Sequence, residues 1–196
     1  VKDGIIYMGT DVGGMYALNK KLGAFYDMTM KMPDDVAGGV PGIAPINGNK
    51  DIVYVMLSKE SLDTRGFKDY SDVYRTLDGG KTWKEMNFPG RLPNYGLIAL
   101  PIAADANNPD YVYVTTYFSG AWVCKNAMSN TPVWENITPK DVKFSPYIDL
   151  DLDLNKNDIM GAVVIDEKEL YKGRSKNVYM SSYAKGIYKS SNGGDE

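Results

Sequence analysis

The chain has 196 residues, 43% of them hydrophobic and 24% charged, and 22 basic against 25 acidic side chains leave a formal net charge of −3. This is the composition of a folded chain long enough to bury a real core, in one or two domains. The mild acidity offers no footprint for nucleic acid, and no apolar run reaches the length of a membrane span. The single cysteine, Cys124, excludes an internal disulfide, and the absence of histidine excludes Ser-His-Asp triads, Cys-His pairs and histidine-bound zinc within these residues. Acid–base chemistry would fall to carboxylates, lysine or tyrosine. Tyrosine is abundant, at 15, which suits stacking on sugar faces and equally suits plain β structure. Val1-Lys2-Asp3 does not open a signal peptide, so the sequence reads as a mature or excised segment.

Along the chain, four segments share one pattern. Ile5–Met8 leads to Gly14–Tyr16, Ile52–Val55 to Asp72–Tyr74, Tyr111–Val114 to Gly120–Trp122, and Asn177–Met180 to Gly186–Tyr188. Each pair predicts two antiparallel strands, joined in the first, third and fourth by a short glycine-containing turn and in the second by a longer loop within Ser58–Tyr70. The aromatic position recurs at Tyr7, Tyr54, Tyr113 and Tyr179, in steps of 47, 59 and 66 residues. A preceding strand is expected at Gly39–Ile46, Leu97–Ala103 and Tyr147–Leu154. It runs into polar turns at Asn47–Lys50, Asp105–Asp110 and Asn155–Asp158. A following outer strand is expected at Thr82–Met86 and Val133–Ile137. Four strands per unit, repeated, argue for an all-β fold of β-propeller blades. The expected blades are 1–32, 36–90, 95–139 and 145–196, two full and two partial. Four such units do not close a ring, so the sequence is expected to belong to a longer propeller or to be completed by another polypeptide, with a compact open arc as the further alternative.

The most specific segment is Thr76-Leu77-Asp78-Gly79-Gly80-Lys81-Thr82-Trp83. It fits Ser/Thr-x-Asp-x-Gly-x-x-Trp, the Asp-box pattern. The Asp-Gly-Gly run supplies backbone freedom and a carboxylate for nearby amides, and Trp83 returns to the core as an anchor. Ser190–Glu196 repeats the pattern with Asn192 in place of the aspartate. After Trp122 the turn is read as lost across Lys125–Thr131, with Trp134 kept as the closing anchor. The full pattern resembles the hairpin of propeller blades in sialidases, xyloglucanases and sortilin-like receptors, and its aspartate reads as a folding element.

Function is carried by Thr10-Asp11-Val12-Gly13-Gly14-Met15-Tyr16. This segment resembles the Thr-Asp-Ile-Gly-Gly-Ala-Tyr motif of family 74 glycoside hydrolases, the xyloglucanases. The Asp105–Val114 stretch and the Gly186–Gly194 ending resemble that family more loosely. The resemblance implies an inverting endo-β-1,4-glucanase with Asp11 as general base, a β-glucan such as xyloglucan as substrate, no cofactor or metal, and an extracellular protein. It also implies that the general acid comes from a second propeller outside this sequence, so that the chain alone would hold half a site. Inversion needs two carboxyl groups about 6.5–9.5 Å apart. Gly13 and Gly14 would give a polymer close access to the backbone, although Met15 is bulkier than the family's alanine. The residues also permit Asp11 simply to cap its own turn.

Tyr117, Phe118 and Tyr183 follow inner strands and are candidates either to line a sugar-binding cleft or to fill the core, while Trp122 reads as core. Asp149, Asp151 and Asp153 alternate on one strand face, as a solvated edge or as oxygen ligands for calcium. A sialidase would clamp a carboxylate with three arginines, and the sequence has Arg65, Arg75, Arg91 and Arg174, of which Arg75 belongs to the Asp-box strand. A non-catalytic propeller binding glycan or protein is the remaining alternative.

Overall fold

The structure is a computed structural model that describes residues 5–10, 14–21, 23–28, 39–57, 60–63, 66–69, 72–90, 101–116, 119–142, 160–183 and 185–195. Every regular element among them is a strand, and all pairing is antiparallel. The first sheet orders β1 (Ile5–Gly9), β2 (Met15–Asn19) and β3 (Ala24–Asp27). The second orders β4 (Gly42–Ile46), β5 (Asn49–Leu57), β8 (Asp72–Thr76) and β9 (Lys84–Glu85). Between β5 and β8 a separate ribbon pairs β6 (Glu60–Asp63) with β7 (Gly66–Asp69). The third sheet orders β10 (Ile102–Ala104), β11 (Val112–Thr116), β12 (Gly120–Cys124) and β13 (Trp134–Asn136). The fourth orders β14 (Met160–Tyr171), β15 (Arg174–Ser182) and β16 (Gly186–Ser190). Two sheets of four strands and two of three, laid side by side without closing, form a partial propeller.

All four expected strand pairs are present, and the repeat tyrosines share one register point. Tyr7 faces Ala17, Tyr54 faces Arg75, Tyr113 faces Val123 and Tyr179 faces Lys189. Period-2 alternation then sends neighbouring residues of one strand to opposite faces. In β5, Val53, Val55 and Leu57 pack with Met15, Ala17 and Met28 of the first-sheet region. Tyr54 and Met56 point the other way, onto Ile102, Val112 and Val114 of the third sheet. Tyr113 and Val123 likewise meet Val163, Val178 and Met180 of the fourth. Tyr54, Tyr113 and the valines of β5 and β11 are fully buried. Each such side chain contributes about 1.5–3 kcal/mol of burial free energy.

Polar bonds stitch the same interfaces. The Tyr7 hydroxyl donates to the Lys50 carbonyl (3.2 Å), Tyr54 to Pro109 (2.6 Å) and Tyr113 to Gly193 (2.8 Å), each acceptor in the following sheet. The first two acceptors lie four residues before the next sheet's own tyrosine. Burial pushes the Tyr54 and Tyr113 hydroxyls well above the ordinary tyrosine value, so both remain donors. Asp105, fully buried, accepts from the Ser175 amide and hydroxyl, both at 2.6 Å, and ties the third sheet to the fourth.

Two expectations need correction, and one, the Ser58–Tyr70 insertion, gains detail. The strand that opens the fourth sheet is Met160–Tyr171, whereas Tyr147–Leu154 and Asn155–Asp158 lie outside the described residues. It turns into β15 through Lys172 (φ 49°) and Gly173 (φ 78°), a two-residue hairpin with both φ values positive. That geometry matches the right-handed twist of the flanking strands. Second, the Ser58–Tyr70 loop contains the β6–β7 ribbon. Third, the turn after Trp122 keeps the logic of the Thr76–Trp83 turn: Cys124 Sγ contacts Asn126 Oδ1 at 3.5 Å, and that oxygen accepts from the Val133 amide at 2.7 Å. Its extra residues are absorbed in a loop in which Met128 N donates to Asp110 Oδ1 (2.8 Å).

Candidate functional site

Antiparallel order sorts the turns onto two ends. The turns joining β1 to β2, β11 to β12 and β15 to β16 lie at one end, and those joining β8 to β9, β10 to β11 and β14 to β15 at the other. Of the site residues proposed from sequence, Gly14 and Tyr183 belong to the first end.

The turn around Asp11 is built from its flanks. Thr10 donates both its amide and its hydroxyl to the Gly14 carbonyl, each at 2.9 Å. Gly14 is buried with φ 82°, a conformation L side chains rarely adopt. Val40 N in turn donates to the Thr10 carbonyl (2.8 Å), and a Cβ at Gly9 would strike the Val40 backbone. The base of the turn is thereby locked against the segment leading into β4. Asp11 and Gly13 themselves lie outside the described residues.

The flanking register of this turn recurs twice. Thr116 Oγ1 donates to the Gly120 carbonyl (3.2 Å), with Gly120 at φ 80°, and Ser182 stands opposite Gly186 at φ 88°. The Ser182 hydroxyl is buried without a partner among the described residues. Tyr183, which follows it, is 70% exposed, while Tyr117 and Phe118 lie outside the described residues. Trp122 is core as expected: it packs against the second–third sheet cluster, edge-on to Phe88 at 5.7 Å, and donates Nε1–H to the Ser119 carbonyl.

One group at this end escaped the sequence reading. Asp72 occupies in β8 the register position of Gly14, Gly120 and Gly186. Its Oδ1 accepts from the Val73 amide (2.6 Å) and the Phe88 amide (3.0 Å). Burial pushes its carboxyl up to about 7; the Glu85 carboxyl adds to the rise, and the two amides oppose it. The signal was an aspartate standing where the repeat otherwise places glycine.

At the opposite end, Thr76–Trp83 folds around two side chains. Thr76 Oγ1 donates to Asp78 Oδ1 (2.8 Å) and accepts from Gly80 N (2.8 Å), and Asp78 Oδ1 accepts from Lys81 N and Thr82 N, both at 2.9 Å. Ser190–Asp195 repeats three of these bonds: Ser190 Oγ to Asn192 Oδ1 at 2.8 Å, Gly194 N to Ser190 Oγ at 2.8 Å, and Asp195 N to Asn192 Oδ1 at 3.1 Å. Arg75 is buried against the Ala127 carbonyl, and Arg174 against the Asn192 carbonyl, Tyr111 and Asp195. Neither guanidinium is available to a carboxylate ligand. Arg65, Arg91 and the Asp149–Asp153 triplet lie outside the described residues.

No family model matches the sequence, and no curated protein matches it. Among solved structures, the chain is similar to the GH74 enzyme of Niastella koreensis, with a TM-score of 0.75 at 21% identity over 98% of this chain and 27% of that one. It is similar to the GH74 xyloglucanase of Xanthomonas campestris, with a TM-score of 0.73 at 16% identity over 98% of this chain and 28% of that one. An ancestral GH74 enzyme matches with a TM-score of 0.57 at 18% identity, covering 97% of this chain and 21% of that one. The chain thus spans about a quarter of the length of these enzymes, and the likeness shows the fold: a partial propeller of the kind found in GH74 structures.

Proposed function

We propose that this chain is a module of a glycoside hydrolase resembling the N-terminal propeller of an inverting endo-β-1,4-glucanase of the xyloglucanase type. In this reading a β-glucan chain lies across the end that carries the Thr10–Gly14 turn, with Asp11 as the general base. Gly13 and Gly14 let the polymer approach, and Tyr117, Phe118 and Tyr183 supply aromatic faces. The observation that carries it is the locking of the Asp11 turn: Thr10 and Gly14 close it, and Val40 pins it to the entry of β4. A general base must be held to a fraction of an ångström relative to its substrate, and a doubly bonded, sheet-anchored turn provides such a frame.

Asp11 would deprotonate a water attacking the anomeric carbon from the face opposite the leaving oxygen. A second carboxylic acid would protonate that oxygen. That acid would come from a second propeller outside this chain, and a polysaccharide substrate would be met outside the cell. Hydrolysis of xyloglucan by the protein that contains this chain tests the reading. Asp11→Asn is expected to lower kcat by a factor of about 10³ or more with little change in KM. An unchanged kcat would sink the assignment.

A second reading, a non-catalytic propeller that binds glycan or protein, is favoured by the recurrence of the Thr10–Gly14 geometry at Thr116–Gly120, where no carboxylate is present. Retained glucan or protein binding without hydrolysis would select it. The buried state of Arg75 and Arg174 weighs against a sialidase.

A further inference from the structure

Three turns of the described chain carry the same latent chemistry. Where asparagine or aspartate precedes glycine, no side chain hinders the glycine nitrogen as it approaches the neighbouring Cγ, and a five-membered imide can close. The described steps of this kind are Asn47-Gly48, Asp78-Gly79 and Asn192-Gly193. The fold treats them differently.

Two of the steps are locked. Gly193 is buried, its amide donates to the Lys176 carbonyl (2.8 Å), and a Cβ there would strike Arg174. Asn192 Oδ1 accepts from Ser190 Oγ (2.8 Å) and Asp195 N (3.1 Å), and the Asn192 carbonyl accepts from Arg174 Nη2 (2.9 Å). Both the attacking nitrogen and the attacked amide are therefore held in place. At Asp78-Gly79 the Gly79 amide donates to the Asp51 carbonyl (3.0 Å), and the bonds to Thr82 keep the Asp78 carboxyl ionised down to about 2. An ionised carboxylate is a poor target for a nucleophile.

Asn47-Gly48 has none of these restraints. Ile46 faces Asn49, so the two residues form the whole tip of the β4–β5 hairpin. Asn-Gly is a favoured pair for such a tip, and turn chemistry and reactivity here coincide. Both residues are exposed, Gly48 has φ 88°, and the space where its Cβ would stand is open. Among the described residues no hydrogen bond holds the Gly48 amide or the Asn47 side chain.

We propose that Asn47 is a site of spontaneous covalent modification, deamidating through an imide formed with Gly48, while the fold holds back the same reaction at Asn192. The Gly48 nitrogen loses its proton and bonds to Asn47 Cγ. The Cγ–Nδ2 bond breaks, and the side-chain nitrogen leaves as ammonia with that proton. Water then opens the ring. Cleavage of the new N–Cγ bond gives aspartate, and cleavage of the original main-chain bond to nitrogen gives isoaspartate. The sum is asparagine plus water to an acid plus ammonia, with no oxidant or reductant. Each event makes the chain one charge more negative. The isoaspartyl form also lengthens the main chain just before Lys50, whose carbonyl accepts the Tyr7 bond between the first and second sheets. The tip lies at the end opposite the Thr10–Gly14 turn, so the modification is independent of the hydrolase reading.

Peptide mapping of the folded protein, aged in mildly alkaline buffer, tests it by resolving Asn, Asp and isoAsp at positions 47 and 192. An isoaspartyl methyltransferase labels the isoaspartyl product as a second readout. Conversion at 47 is expected to be at least tenfold faster than at 192. In urea the two steps should convert at similar rates, because the dipeptide is the same. Asn47→Ser, at an exposed turn position, should remove the fast phase of ammonia release. Equal rates at 47 and 192 in the folded protein, or a faster reaction at 192, overturn the proposal. An Asn47 that stays intact in the folded protein also overturns it, whether or not it converts in urea.

Discussion

Replacing Asp78 tests whether the Thr76–Trp83 turn works through hydrogen-bond geometry or through charge. Its carboxylate accepts four hydrogen bonds: Thr76 Oγ1, Lys81 N and Thr82 N on Oδ1, and Thr82 Oγ1 on Oδ2 at 2.7 Å. The bonds to Thr82 hold its pKa down to about 2. A depressed carboxylate contributes stability that is fully present above the unfolded value near 4 and is lost as pH falls through about 2. The group is partly solvated, so the charge contribution is set at about 1 kcal/mol rather than the full linkage value. Asp78→Asn keeps the three Oδ1 acceptor bonds, as Asn192 does for Ser190 and Asp195. It should cost about 1 kcal/mol at pH 7, whereas Asp78→Ala, which also strands two amides, should cost about 2–3 kcal/mol. Urea denaturation at pH 7 and pH 3 reads both. The gap between wild type and Asp78→Asn should shrink by about half at pH 3. Equal costs for Asn and Ala at pH 7, or a gap that does not change with pH, would refute the reasoning.

Tyr54→Phe removes a 2.6 Å part-buried bond to the Pro109 carbonyl and should cost about 1–3 kcal/mol, while Tyr7→Phe, whose 3.2 Å bond is exposed, should cost under about 0.5 kcal/mol; denaturant midpoints distinguish them. Asp72 has the opposite sign to Asp78. Its folded pKa is raised to about 7, so its contribution favours the folded state below about pH 4 and is lost as pH rises through about 7. Asp72→Asn should therefore stabilise the protein at pH 8 and leave it unchanged at pH 4 in thermal melts. Gly80→Ala should cost about 1–3 kcal/mol, since Gly80 has φ 86° and a Cβ there would strike the Met28 methyl of the neighbouring cluster.

The repeat was legible because it rests on local chemistry. The aromatic register, the glycines at φ near +80° and the Thr76–Asp78 turn are all set by residues within a few positions of one another. The strand opening the fourth sheet was misplaced because Asp149–Asp153 alternates as cleanly as a strand should, whereas Met160–Tyr171 ends in charged, exposed residues that resemble a loop. The Lys172-Gly173 hairpin was the overlooked signal. Asp72 was overlooked for a different reason: the repeat register marks it as an aspartate in a glycine position, but its buried bond to Phe88, sixteen residues away, is not a matter of spacing. The roles of Arg75 and Arg174 likewise depend on turns far along the chain.

The side-by-side arrangement makes stability a nearest-neighbour quantity. The first sheet touches the second, the second the third and the third the fourth, so each interface holds only the two sheets it joins. Protection against amide exchange should be greatest in β5 and β11, which are covered on both faces, and should decline toward the outer sheets. The Thr10–Gly14 turn belongs to one of those outer sheets. Its flanks are therefore anchored toward the second sheet, through the Val40 bond to Thr10 and the close approach of Val40 to Gly9. A substitution that loosens the Val53–Met15 contact would loosen the Thr10 and Gly14 flanks while leaving the third and fourth sheets intact.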